Sequence, residues 1–134
     1  MVKAKVMAKK SPKTIYSGYR DKAEPNAAGD SFVTVTEANS WGDLKGHQLD
    51  PTPSQALRNH SPTGFSWGYG GSGPAQLALA ILLDYYGDER FAQRYYQSFK
   101  WQTVARWPAS RDWTITGEEI EKVIDSLMEK EGKA

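Results

Sequence analysis

Apolar positions change their spacing near the middle of this chain. Before residue 50 they alternate in short runs; after residue 74 they recur every three or four residues. The first spacing belongs to strands and the second to helices. Thr14–Tyr19 alternates, with Ile15, Ser17 and Tyr19 on one face, and reads as a strand. Ser31–Glu37, SFVTVTE, is β-branched with Val33 and Val35 on one face, and is the clearest strand in the chain. Pro25, Asn26 and Gly29 mark a turn or loop between the two. A parallel crossover needs a longer connection, so antiparallel pairing is expected. Asn39–Gly46 is turn-rich and contains Trp41, and His47–Leu49 adds a short strand. Pro51 and Pro53 keep the chain irregular before a helical turn at Ser54–Arg58.

The second half predicts three helices. Ala75–Tyr86 is apolar on nearly every side, interrupted only by Gln76 and Asp84, so it belongs inside the fold. Ser72 or Gly73 is the expected N-cap, Pro74 suits the first turn, and Gly87 is the expected stop. Asp88–Val104 follows, capped by Asp88, with Phe91, Ala92, Tyr95, Tyr96, Phe99 and Thr103 on one stripe. Its other side carries Arg90, Arg94, Gln97 and, out of character, Trp101. Pro108 ends this element, and Asp112–Ile115 reads as briefly extended. Thr116-Gly-Glu-Glu119 is a capping box that opens an amphipathic helix bearing Ile120, Val123, Ile124, Leu127 and Met128. Strands first and helices afterwards imply an α+β fold: a small antiparallel sheet from the N-terminal half packed with three helices from the C-terminal half.

Composition narrows the chemistry. At 134 residues one domain is expected, over 14–131, with 1–13 a flexible basic arm and 132–134 frayed. Seventeen basic and sixteen acidic side chains leave a formal charge of +1, so whole-molecule charge favours no class of partner. No cysteine is present, which excludes disulfides and thiolate metal sites and fits a cytoplasmic location. Leu77–Leu83 is the longest apolar run, far short of a membrane span. The two histidines, His47 and His60, have no ligand spacing, so neither a metal nor another cofactor is expected. Lys3, Lys5, Lys9, Lys10 and Lys13, with no acid among them, offer a weak case for nucleic acid.

One segment invites a binding role. GFSWGYGGSGP, Gly64–Pro74, combines five glycines with three aromatics. Gly68–Gly73 matches G-x-G-x-x-G, but the helix that follows leads into another helix rather than a second parallel strand, so the dinucleotide fingerprint fails. The spacing also fits the start of a phosphate loop, yet Pro74 and Ala75 stand where Lys and Ser/Thr are required. Gly64-Phe-Ser-Trp-Gly68 matches G-x-S-x-G, without the strand before and helix directly after the serine that a nucleophile elbow needs. A weaker anion site remains, with Gly70, Gly71, Ser72 and Gly73 presenting N–H groups and Arg58 and His60 adding positive charge. Alternatively the glycines only permit close packing, or Trp67 and Tyr69, with Trp101, contact a partner. Asp84, Asp88 and Glu89 read as capping and solubilising carboxylates.

The run LRNHSPTGFSWGYGGSGPAQLALAILLDYYGDERFAQRYYQSFKW, followed by WTITGEEI, resembles the domain of unknown function 6166 family. The resemblance covers roughly the second two-thirds of the chain and excludes the lysine-rich start. It implies a compact cytoplasmic domain found in bacteria and archaea and on phage and plasmid genomes, and brings no catalytic residue or cofactor. No catalytic constellation appears in the residues either. The function expected is that of a non-enzymatic phage or mobile-element accessory protein that binds a host or phage macromolecule, a protein before a nucleic acid, and inhibits a host defence system. A module for a small phosphorylated ligand and nucleic-acid binding through the lysine arm are the alternatives.

Overall fold

The computed structural model describes residues 9–20 and 31–132. Four strands form one antiparallel sheet: β1 (Ile15–Arg20), β2 (Ser31–Ala38), β3 (Leu44–Gln48) and β4 (Trp113–Thr116), in the order β3-β2-β1-β4. The C-terminal half therefore contributes a strand of its own, at the segment the sequence marks only as briefly extended. Alternate residues of a strand face opposite sides. Tyr16 lies between Val35 and Ile115, and Gly18 between Val33 and Trp113, so these two rows form the inner face. Ile15, Ser17 and Tyr19 share a face as expected, but it is the open one. The inner side of β1 is set instead by Tyr16, whose hydroxyl donates to Asp84 at 2.7 Å, and by Gly18.

Gly18 makes room for Trp113. A Cβ at this position would stand 2.1 Å from Trp113 Nε1. The indole cannot retreat, because it stacks on Trp107 at 4.1 Å and meets Trp67 edge-on at 5.7 Å.

Four helices cover the inner face: α1 (Thr52–Leu57), α2 (Ser72–Tyr86), α3 (Glu89–Gln102) and α4 (Gly117–Gly132), with a 3-10 turn at Val104–Arg106. In α2, twelve of fifteen residues are buried, so this helix has no solvent face. Leu77, Leu79, Ile81 and Leu82 are fully buried, each contributing about 1.5–3 kcal/mol. The helix starts earlier than the sequence suggests, with Gly71 as N-cap, and stops at Gly87, whose φ of 67° is the left-handed conformation glycine tolerates. Asp88 caps α3 by accepting the Phe91 N–H at 3.0 Å. The capping box of α4 forms in both directions. Thr116 Oγ1 accepts the Glu119 N–H at 3.1 Å, and Glu119 Oε1 accepts the Thr116 N–H at 3.0 Å.

Lys9–Lys13, assigned by composition to a flexible arm, pack on the domain. The Lys10 N–H donates to the Tyr85 carbonyl at 2.7 Å, and the carbonyls of Pro12 and Thr14 accept the first N–H groups of α4. Lys10 Nζ bridges Asp84 at 2.8 Å and Glu37 at 3.2 Å, and Lys9 pairs with Glu121 at 3.0 Å. Lys3 and Lys5 lie outside the described residues.

Two substitutions test this packing by urea denaturation. Gly18→Ala is expected to destabilise by about 3 kcal/mol, since it overpacks a site with no slack; a change under about 0.5 kcal/mol would contradict the Trp113 contact. Lys10→Ala is expected to cost about 1–2 kcal/mol by leaving Asp84 with one partner; an unchanged midpoint would mean that this segment is not docked.

Candidate contact surface

One side chain shapes the approach to α2. Gln76, in its second turn, is fully buried. Its Oε1 accepts the N–H groups of His60 at 2.7 Å and Ser61 at 3.0 Å. Its Nε2 donates to Ser54 Oγ at 2.9 Å and to the Arg58 carbonyl at 3.1 Å. An amide has two donors and two acceptor positions, so this one is saturated. Residues 58–61 are thereby fixed to the core helix. Their side chains turn toward α3: Arg58 Nε donates to Gln93 Oε1 at 3.2 Å, and His60 Nε2 lies 2.8 Å from the Tyr96 hydroxyl.

The glycine-rich loop then crosses the end of α3. Trp67 is 0% exposed, with its Nε1 donating to the Arg111 carbonyl at 3.0 Å. It is a core residue, and the expectation that it contacts a partner is corrected: its edge-on packing against Trp113 places it under the loop. Gly68, at φ 90°, donates its N–H to the Val104 carbonyl at 3.0 Å, and a Cβ there would collide with Ala109 at 2.5 Å. The next residues come out to the surface. Tyr69 is 50% exposed and Trp101 is 57% exposed. Gly70 lies directly under the Trp101 ring, where a Cβ would stand 2.2 Å from Cη2. The Tyr69 ring rests against Gly71. Ser72 is exposed at the start of α2, and Gly73 is buried beside Ser66.

Lys100 joins these groups. The residue is only 5% exposed, yet its ammonium meets no carboxylate among the described residues. Nζ donates to the Gly70 carbonyl at 3.2 Å and sits 4.4 Å from the centroid of the Trp101 ring, a cation–π contact. Burial pushes its pKa below the usual lysine range. The structure thus brings Tyr69, Gly70, Gly71 and Trp101 together and adds Lys100, which sequence reasoning missed. The signal was present: Lys100 falls four residues after Tyr96 and three before Thr103, on the buried stripe of its helix. Arg58 and His60 are not brought to Gly70–Gly73; they line the neighbouring stretch of α3.

The family model for the family of unknown function DUF6166 matches residues 16–126, from β1 into α4. The chain belongs to the DUF6166 family. No curated protein and no solved structure matches it. The match spans the glycine loop, Gln76 and Lys100 alike, so the surface lies within the DUF6166 region. No helix among the described residues is long and apolar enough to cross a membrane. The described residues also contain no group of three His, Asp or Glu side chains able to hold a metal ion.

A separate cavity of about 320 Å³ opens between β3, α1 and α2, with His47, Asp50 and Asp84 as its ionisable groups. Both acids have structural partners. Asp84 accepts from Tyr16 and Lys10, and Asp50 accepts the Thr52 N–H at 2.9 Å, which holds its carboxyl below the usual range.

Gln76 offers a direct test of how the loop is held. Gln76→Ala leaves two N–H groups and a carbonyl of residues 58–61 without their partner, and is expected to cost about 3 kcal/mol by urea denaturation. A loss under about 1 kcal/mol would show that the loop does not depend on this amide.

Proposed function

We propose that this DUF6166 protein is a cytoplasmic, non-enzymatic binding module that contacts a host or phage macromolecule through Tyr69 and Trp101, with the buried Lys100 helping to hold the Trp101 ring in place. The observation that supports this is the seating of the two rings. Trp67, Trp107 and Trp113 cluster together, whereas Trp101 and Tyr69 are half out in solvent and held in place by glycine backbone on a rigid helical base. Aromatic anchors kept in one orientation lose little entropy on binding, and tryptophan and tyrosine are enriched among the residues that dominate interface energies. Trp41 is more exposed, at 87%, but stands on the turn between β2 and β3, outside the glycine loop. The phage and plasmid setting implied by the family resemblance supports an accessory role, and inhibition of a host defence system is the use proposed for it.

The proposal is tested by comparing the wild-type chain with Trp101→Ala and Tyr69→Ala, and with Trp41→Ala as control, in affinity capture from host lysate. Trp101→Ala is expected to keep stability within about 1 kcal/mol, because the ring is mostly solvent-exposed, while losing what the wild type and Trp41→Ala retain. Capture that survives loss of both Tyr69 and Trp101 would overturn the assignment.

A further inference from the structure

Charge is unevenly distributed over this nearly neutral chain. Residues 90–111 carry five basic side chains, Arg90, Arg94, Lys100, Arg106 and Arg111, and no acid. The sequence of α4, by contrast, holds six acids and two lysines. The two regions meet where Arg94 pairs with Glu131 at 3.0 Å. Beyond that contact none of these basic groups forms an ion pair among the described residues. Arg106 and Arg111 are exposed and form no ion pair among the described residues.

The basic segment and the exposed rings occupy one place. Gly70 touches Trp101 at the end of α3, and Gly68 touches Ala109 and hydrogen-bonds Val104 in the segment that carries Arg106 and Arg111. Tyr69 follows Gly68, which touches Ala109, and precedes Gly70, which touches Trp101, and its own ring rests against Gly71. The Tyr69 and Trp101 rings rest on consecutive glycines, whose Cα atoms are about 3.8 Å apart.

We infer that this surface binds single-stranded nucleic acid, with Tyr69 and Trp101 stacking on neighbouring bases and the exposed Arg106 and Arg111 facing the phosphates. The inference rests on the contact role proposed above and names its partner. Positive charge alone would suit any polyanion, including an acidic protein surface. Two exposed aromatic rings seated on consecutive glycines within it favour a ligand that offers a flat face at each repeat. In a duplex those faces are already stacked, so an unpaired strand is the form that fits. The described lysines of the N-terminal segment that form ion pairs, Lys9 and Lys10, are engaged with Glu121, Glu37 and Asp84. Arg106 and Arg111, exposed and in no ion pair among the described residues, are available to a strand in a way that Lys9 and Lys10 are not.

Fluorescence anisotropy of a labelled 20-nucleotide oligothymidylate, titrated with the full chain at low salt, tests this. Saturable binding is expected, weaker for a duplex of the same length. With two phosphate contacts, the logarithm of affinity should fall against the logarithm of salt with a slope of about −1.4. Trp101→Ala is expected to weaken binding at least tenfold. The Arg106→Gln, Arg111→Gln double variant is expected to weaken it and flatten the salt slope, each variant first being shown to keep the wild-type melting temperature. Neutralising Lys3, Lys5 and Lys13 should leave the affinity within twofold. No binding, equal binding of duplex, or binding indifferent to Trp101 and the two arginines would overturn the inference. If oligonucleotides fail to bind while Trp101→Ala still abolishes capture from nuclease-treated lysate, the surface contacts a protein, and only the assignment to nucleic acid falls.

Discussion

The structure depends on a helix with no side facing water. α2 is apolar around its whole circumference, so it is stable only when every side is covered. The sheet covers one side through Tyr16, Val33, Val35 and Ile115, and α3, α4 and the approach segment cover the others. The polar groups on this helix hold down its covers. Gln76 saturates its amide on residues 54–61, and Asp84 ties Tyr16 of the sheet to Lys10 of the N-terminal segment. A buried polar group lacking such partners would be costly. Each therefore fixes the position of a particular segment.

The exposed surface follows from that constraint. Once residues 58–61 are pinned and Trp67 is sunk beside Trp113, the chain must climb over the end of α3 to begin α2. Glycines at 68 and 70 let it pass within contact distance of Ala109 and Trp101. The climb leaves Tyr69 outward and lays Gly70 under an indole that would otherwise stand alone on a polar helix face. Lys100 fills the remaining gap with its stem while its ammonium reaches the Gly70 carbonyl and the Trp101 ring. The rings and the cation are thus set by packing that begins in the core, as a preorganised contact site requires.

Local signals carried much of this. Spacing alone located α2, α3 and α4, and the Asp88 cap, the Gly87 stop and the Thr116–Glu119 box all form as their residue types imply. The sequence was weaker where the outcome depends on contacts distant along the chain. Gly18 and Trp113 are 95 positions apart, so neither shows that β4 belongs beside β1 or that Tyr16 rather than Ile15 faces inward. Trp67 and Tyr69 are equivalent as text; a hydrogen bond to the Arg111 carbonyl puts one inside and leaves the other out. Lys9 and Lys10 look like part of a solvated arm until Glu121 and Asp84 are seen beside them. At the proposed contact surface, Trp101 was legible as an apolar residue on a polar stripe. Lys100 lay on a stripe that periodicity marks as buried, where a lysine is easily passed over, and the acid-free run from 90 to 111 acquires meaning only once Tyr69 is placed against it.

The most direct measurement is hydrogen–deuterium exchange of the full chain with and without saturating oligothymidylate. Protection is expected over residues 68–71 and 98–111, with α4 and the open face of the sheet unchanged. Protection on the sheet or at the N-terminal segment, or none at residues 68–71 and 98–111, would contradict a binding role for the Tyr69–Trp101 surface.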